Sequence, residues 1–205
     1  MVSLKIKNLI LFPFFIGYIK SYVVFLTKRY GIKNEIEIKR LELMIRKNIF
    51  SLISSKFLLC EIEINSNNKF IKQSLKLSKL KPIDIRIHSN FISNFEPFQS
   101  AIDELSNLNY LKDPDSMISC ITQTSSLIFE SAMKSCKEKK IQKTVSADDF
   151  LPMMQYVLIQ SDIVYIESII SFIRKFKKMN NEDDYYLTTL QSAVEGIKSF
   201  SENDY

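Results

Sequence analysis

Three glycines and five prolines in 205 residues place the strongest limit on this chain. Sheet-rich domains and phosphate-binding loops need glycine at turns, bulges and close backbone approaches. Glycine stands only at positions 17, 31 and 196, which excludes glycine-rich phosphate loops and dinucleotide fingerprints and argues against a turn-rich β-sandwich. Helices with few sharp turns remain. The apolar material for a bundle is present, since 46% of residues are apolar, with 15 Phe and 9 Tyr. The length suits one domain, or one core with a helical extension. The expectation is an all-α fold: a helical bundle core with an N-terminal helical extension.

Bond-making chemistry is poorly provided for. Cys60, Cys120 and Cys136 are irregularly spaced with no Cys-x-x-Cys, and read as reduced, mostly core thiols of a cytosolic protein. His88 is the sole histidine, so a Ser-His-Asp or Cys-His mechanism would rest on it alone, and a surface or satisfied histidine is expected instead. No ligand spacing calls for a metal, and nothing calls for a cofactor. The net charge is a mild +5. Basic clusters at 134–143 and 174–178 read as solvated helix ends whose cations complement the macrodipole. The alternative is a nucleic-acid or anionic-membrane patch, which no reading motif accompanies.

Residues 1–34 form an apolar N-terminal segment, broken by Pro13, Gly17 and Lys20. A buried first helix, a membrane-associated segment and a secretory signal are all open readings here, although no small-x-small cleavage site follows and Lys20 interrupts the window a spanning helix needs. Residues 35–96 read as a helical support layer. Within it Ile36, Ile38, Leu41, Leu43, Met44, Ile49, Phe50 and Leu52 recur mostly at helical steps, the run from Phe57 to Ile64 could pass for a strand, 65–68 reads as a loop, and Phe70–Leu80 is amphipathic. Pro82 begins an irregular connection through Pro97.

Residues 97–203 form the third unit. Phe98, Ala101, Ile102, Leu105 and Leu108 make a helical stripe. Asp113-Pro114 is a strong start signal, and Met117, Ile121 and Ile128 line the helix it opens. A charged connection is expected over Lys134–Thr144. Ser146 can cap the amide of Asp149, Val145 and Phe150 have the spacing of a hydrophobic staple, and Asp148 and Asp149 fall in the first turn. Pro152 lies inside that helix and predicts a local kink. After a helix carrying Ile163, Ile166, Ile169, Ile170, Ile173 and Phe176, residues 180–184 read as a polar turn. In the last helix Leu187, Leu190, Val194 and Ile197 share one side at about 100° per residue, while Tyr185, Thr188 and Ser192 fall within roughly 60° of each other on the other.

Ser-Ala-Asp-Asp-Phe-Leu-Pro (146–152), followed at a distance by Tyr-Tyr-Leu-Thr-Thr-Leu-Gln-Ser-Ala-Val (185–194), resembles the vacuolar protein sorting 9 domain, a family of guanine-nucleotide exchange factors for endosomal Rab GTPases of the Rab 5 type. The likeness covers 97–200 and continues in outline from 35. It implies exchange without covalent chemistry, on a Rab 5-type partner, by a cytoplasmic protein recruited to endosomal membranes with peripheral contact and no nucleic acid. Matched residue by residue, it implies that Asp148, four before Pro152, is the acid that pairs with the GTPase's phosphate-loop lysine and disfavours the β-phosphate and Mg²⁺. Tyr185 and Thr188 then match the pair that bonds the displaced switch. Pro152, Asp149, Glu182 and Ser192 complete the expected partner surface. This chain departs from the pattern in a shorter connection between the two clusters and in Asn181, where glycine is common. The alternatives are a Rab-binding scaffold with weak exchange, or a basic membrane- or nucleic-acid-associated helical protein.

Overall fold

The structure, a computed structural model, describes residues 2–60, 64–93 and 97–200, with side chains for 16–54, 69–93 and 97–200. Among the described residues there are α-helices and short 3-10 turns and no strand. The helices are α1 (Val2–Tyr30), α2 (Glu35–Cys60), α3 (Ile64–Leu77), α4 (Gln99–Ser106), α5 (Pro114–Glu138), α6 (Ala147–Gln160), α7 (Ile166–Phe176) and α8 (Asn181–Ser199). Two 3-10 turns, Pro82–Ile85 and Ser89–Phe91, bridge α3 to α4. The all-α expectation therefore holds.

Several boundaries differ from the sequence reading. Residues 65–68 are the start of α3, not a loop, because asparagine is a weak helix former rather than a breaker. The stretch that could pass for a strand is helical to Cys60, and residues 61–63 lie outside the described residues. Helix α5 continues through Lys134 to Glu138, so the charged connection is shorter than expected. That last turn holds because its side chains grip the Ser89–Phe91 turn: Ser135 Oγ donates to Asn90 O at 2.9 Å, and Lys139 Nζ donates to Ile92 O at 2.6 Å. Residues 180–184 are not a polar turn but the cap and first turn of α8. Asn180 Oδ1 accepts the Asp183 amide at 2.7 Å, and three acids follow where the N-terminal dipole favours them.

Two buried clusters organise the chain. A small one joins Ile19 and Val23 of α1 to Ile45 of α2, with Leu26, Ile38, Leu41 and Ile49 around it. The α1–α2 turn closes on Gly31 (φ +65), after which the Ile32 amide reaches back to Thr27 O at 3.0 Å, a helix-ending pattern that needs the left-handed conformation glycine adopts freely. The main cluster runs from Phe50 and Phe70 through Met117, Phe150 and Phe172 to Ile197. The expected support layer and the 97–203 unit thus share one interior. Phe50 packs edge-on against Phe172 and Phe176 at 5.8 and 5.5 Å, and Arg46 and Lys177 both pair with Asp115, at 3.2 and 2.7 Å. Burial of one such ring stabilises by about 1.5–3 kcal/mol, and Phe70, Leu77, Ile85, Ile87 and Phe91 of the same layer are buried in that interior as well.

Capping residues read from sequence do their work. Asp113 Oδ1 accepts the Ser116 amide at 2.9 Å with Pro114 at the first helical position. The less legible start is that of α4, which follows Phe98 in a left-handed conformation (φ 64) with its ring buried against Tyr156. Cys120 is buried and donates to Glu104 O at 3.0 Å; burial first, and then the neighbouring Glu104 charge, push its thiol up to about 12. That is a structural cysteine. His88 is exposed and caps the second 3-10 turn, its Nδ1 accepting the Asn90 amide at 3.2 Å.

Candidate functional site

Helices α6 and α8 lie side by side and run in the same sense. Their C-terminal halves meet where Gly196 faces Gln155, so closely that a Cβ on Gly196 would come within 2.1 Å of Gln155 Nε2. Nearer their N-termini the two helices line a shallow cleft of about 430 Å³. Ala147 and Leu151 form the α6 wall; Asn181, Tyr185, Thr188 and Ser192 are among the residues of the α8 wall.

The α6 wall is built from its cap. Ser146 Oγ accepts the Asp149 amide at 3.2 Å, while Asp149 Oδ2 accepts the Ser146 amide at 3.0 Å and the Ser146 hydroxyl at 2.6 Å. Lys143 Nζ lies 3.6 Å from the second Asp149 oxygen. These contacts, the Ser146 hydroxyl above all, hold the Asp149 carboxyl below the ordinary carboxylate range. Asp149 is therefore committed to its own chain. Asp148 is exposed and has no hydrogen-bond or ion-pair partner among the described residues. It follows Ala147 in sequence but is not itself among the residues that line the cleft. Pro152 is half-buried one residue after Leu151, and α6 continues through it to Gln160.

The α8 wall is anchored from below. Leu187, Leu190, Val194 and Ile197 are all at or below 1% exposure, as their spacing predicts. Phe150 is stacked on Phe129 of α5 at 4.6 Å and meets Tyr186 edge-on at 6.4 Å; Tyr186 in turn touches Tyr185 at 5.2 Å. This aromatic chain leads from the core to Tyr185, which is 48% exposed. Burial raises the Tyr186 phenol above its ordinary range, with help from the charge of Glu182. Glu182 itself is exposed in the first turn of α8.

So Tyr185, Thr188 and Ser192 share one wall of the cleft, Ala147 and Leu151 form the other, and Asp148 and Glu182 lie in the first turns of the two helices without lining it. Sequence reading missed Leu151, the apolar side chain of the α6 wall, although its place three after Asp148 on the same helix is a usable signal. It also missed Arg174. That residue reads as part of a basic helix end, yet Arg174 Nη2 donates to Thr188 Oγ1 at 3.0 Å. Its neighbour in the basic run, Lys177, is likewise paired within the chain.

The Vacuolar sorting protein 9 (VPS9) domain matches residues 98–202. Vacuolar protein sorting-associated protein vps901 of Schizosaccharomyces pombe is 31% identical over 105 residues, covering 50% of this chain and 17% of that protein. Rab5 GDP/GTP exchange factor, from Homo sapiens and from Mus musculus, is 33% identical over 102 residues, covering 48% of this chain and 20% of each relative. The matched part thus spans a fifth or less of those proteins. The match includes both walls of the cleft and the α5 helix beneath them, and the chain belongs to the Vacuolar sorting protein 9 (VPS9) domain family.

Proposed function

We propose that this chain is a guanine-nucleotide exchange factor for a Rab 5-type small GTPase, and that Asp148 is the group that expels GDP. What carries the reading is that Asp148 is an exposed carboxylate with no partner among the described residues, in the first turn of the helix whose Ala147 and Leu151 line a cleft with Tyr185, Thr188 and Ser192. A GTPase holds GDP through its phosphate loop, a lysine and Mg²⁺. A carboxylate entering that site offers the lysine another anion and repels the β-phosphate and the metal-bound state, and no proton transfer or nucleophile is needed. By linkage, tight binding of the nucleotide-free partner and weak nucleotide binding are one free energy. GTP then refills the site by mass action.

The walls divide the work. Tyr185 supplies an exposed aromatic anchor of the kind that dominates interfaces. Thr188 and Ser192 supply hydrogen-bonding groups, and Leu151 gives an apolar floor for switch side chains. Glu182 adds negative charge at the α8 end. Asp149 and Pro152 act on the partner indirectly, by fixing the start of α6.

On this reading the chain works at endosomal membranes through peripheral contact. No helix among the described residues is long and apolar enough to cross a membrane. Helix α1 supports a surface role: Tyr18, Tyr22 and Phe25 form a stacked exposed row that flanks the face of Ile19, Val23 and Leu26 packed on α2. Residues 2–30 carry Lys5, Lys7, Lys20, Lys28 and Arg29 and no acid, which complements an anionic lipid surface.

The experiment is release of a fluorescent GDP analogue from a panel of endosomal Rab GTPases, with and without the chain. Accelerated release from at least one Rab 5-type member is the expected result. Complex formation without acceleration would mean a Rab-binding scaffold, and no interaction with any member would end the reading.

A further inference from the structure

Arg174 projects from α7 and its guanidinium spans α8 lengthwise. Nη1 donates to Asp184 Oδ1 at 3.1 Å, Nη2 to Thr188 Oγ1 at 3.0 Å, and Nε and Nη2 to Gln191 Oε1 at 3.3 and 3.2 Å. Positions 184, 188 and 191 follow the i, i+4, i+7 rule, so one planar donor group serves one helix face. Asp184 and Thr188 also line the cleft.

A guanidinium only donates, so Thr188 Oγ must accept from it. That has a consequence for the hydroxyl proton. A threonine inside a helix commonly gives its proton to the carbonyl four residues earlier, as Thr189 does to Tyr185 O at 2.9 Å. Thr188 has no such bond among the described residues; its recorded partner is Arg174. The proton of Thr188 is left for a group outside the chain.

We propose that Arg174 is a positioning residue that fixes Thr188 as a hydrogen-bond donor, so that this point of the cleft selects an acceptor, a main-chain carbonyl or a carboxylate, on the docked GTPase. The same guanidinium offsets the charge of Asp184, which would otherwise stand uncompensated beside an acceptor. Arg174 touches neither nucleotide nor partner on this account. It acts only through Thr188 and Asp184, and the inference rests on the exchange reading above.

The test is a double-mutant cycle read in exchange kinetics. A Rab 5-type GTPase loaded with fluorescent GDP is titrated against wild type, R174Q, R174K, T188V and R174Q/T188V, with thermal melting as a fold control. R174Q and T188V should each raise KM for the GTPase about 3- to 10-fold, the effect of one interface hydrogen bond, with kcat unchanged. The double variant should lose clearly less than the product of the two single effects, the part beyond T188V being the uncompensated charge of Asp184, and R174K should fall between wild type and R174Q because a lysine cannot serve all three acceptors at once. A merely structural arginine would instead lower the melting temperature and add to T188V. Additive effects, or an unchanged KM in R174Q or T188V while wild type exchanges normally, would overturn the inference alone. Absence of exchange by the wild type would instead sink the functional reading beneath it.

Discussion

Asp149 accepts both the amide and the hydroxyl of Ser146, at 3.0 and 2.6 Å, while Asp148 beside it has no partner among the described residues. Of two adjacent carboxylates in the first turn of one helix, one thereby has the task of closing the cap, and the proposed task of the other is exchange. The third residue of the turn closes the cap, and the second is left pointing outward.

Stability should report the first of these tasks. The lowered Asp149 carboxyl contributes in full above the ordinary carboxylate value of about 4, and its contribution fades as pH falls through the lowered value of the folded state. Asp149→Asn should therefore cost about 1 kcal/mol at pH 7, as loss of a helix cap does, and progressively less below pH ~4. Urea denaturation of both proteins across that range checks it; a gap that widens toward low pH would contradict it.

Phe150 joins the core to the cleft through Phe129 and Tyr186. Phe150→Ala should destabilise by about 3–5 kcal/mol and loosen Tyr185 with it. Phe150→Leu keeps most of the volume and should cost much less. Chemical denaturation gives the first number, and Tyr185 ring signals in NMR give the second.

Much of this was legible in the chain. Asp113-Pro114 and Ser146 announce their helices because caps are local chemistry, settled within three residues. The leucine stripe of α8 follows from period alone. What escaped was non-local or depended on competing signals. Asn180 to Asp184 has the composition of a turn and the order of a cap, and the order won because Asp183 offers its amide to Asn180. The reach of Arg174 to Thr188 crosses from one helix to the next, and no spacing rule connects them. The same holds for Asp115, whose pairing with Arg46 ties α2 to α5 across a wide gap in sequence.

That tie yields a further expectation. Asp115 is the shared partner of Arg46 and Lys177, so Asp115→Asn leaves two partly buried cations sharing a neutral amide. The cost should exceed the 0–1 kcal/mol of an ordinary surface pair and should shrink when Arg46→Met is added. Thermal unfolding of the single and double variants decides it; a strictly additive pair would show that Arg46 and Asp115 do not depend on each other.

The aromatic row of α1 makes a separate prediction. Co-sedimentation with vesicles containing phosphatidylserine should be strong at low salt and weaken as salt rises. Replacing Tyr18, Tyr22 and Phe25 with serine should reduce it several-fold with little change in melting temperature, since these side chains are exposed. Equal binding to neutral vesicles, or binding that survives the triple substitution, would assign membrane contact elsewhere. A concentration-dependent dimer abolished by the same substitutions would point to a second copy of the chain as the occupant.

The most direct measurement compares Asp148→Ala with Asp149→Ala in a GDP-release assay on a responsive Rab 5-type GTPase. Loss of one partner of a desolvated charge pair costs about 2–5 kcal/mol, so Asp148→Ala should slow release on the order of 100-fold while melting like wild type. Asp149→Ala should melt lower yet retain most of its exchange activity at a temperature where it is folded. Release by Asp148→Ala at the wild-type rate, or a greater loss from Asp149→Ala when folded, would contradict the account.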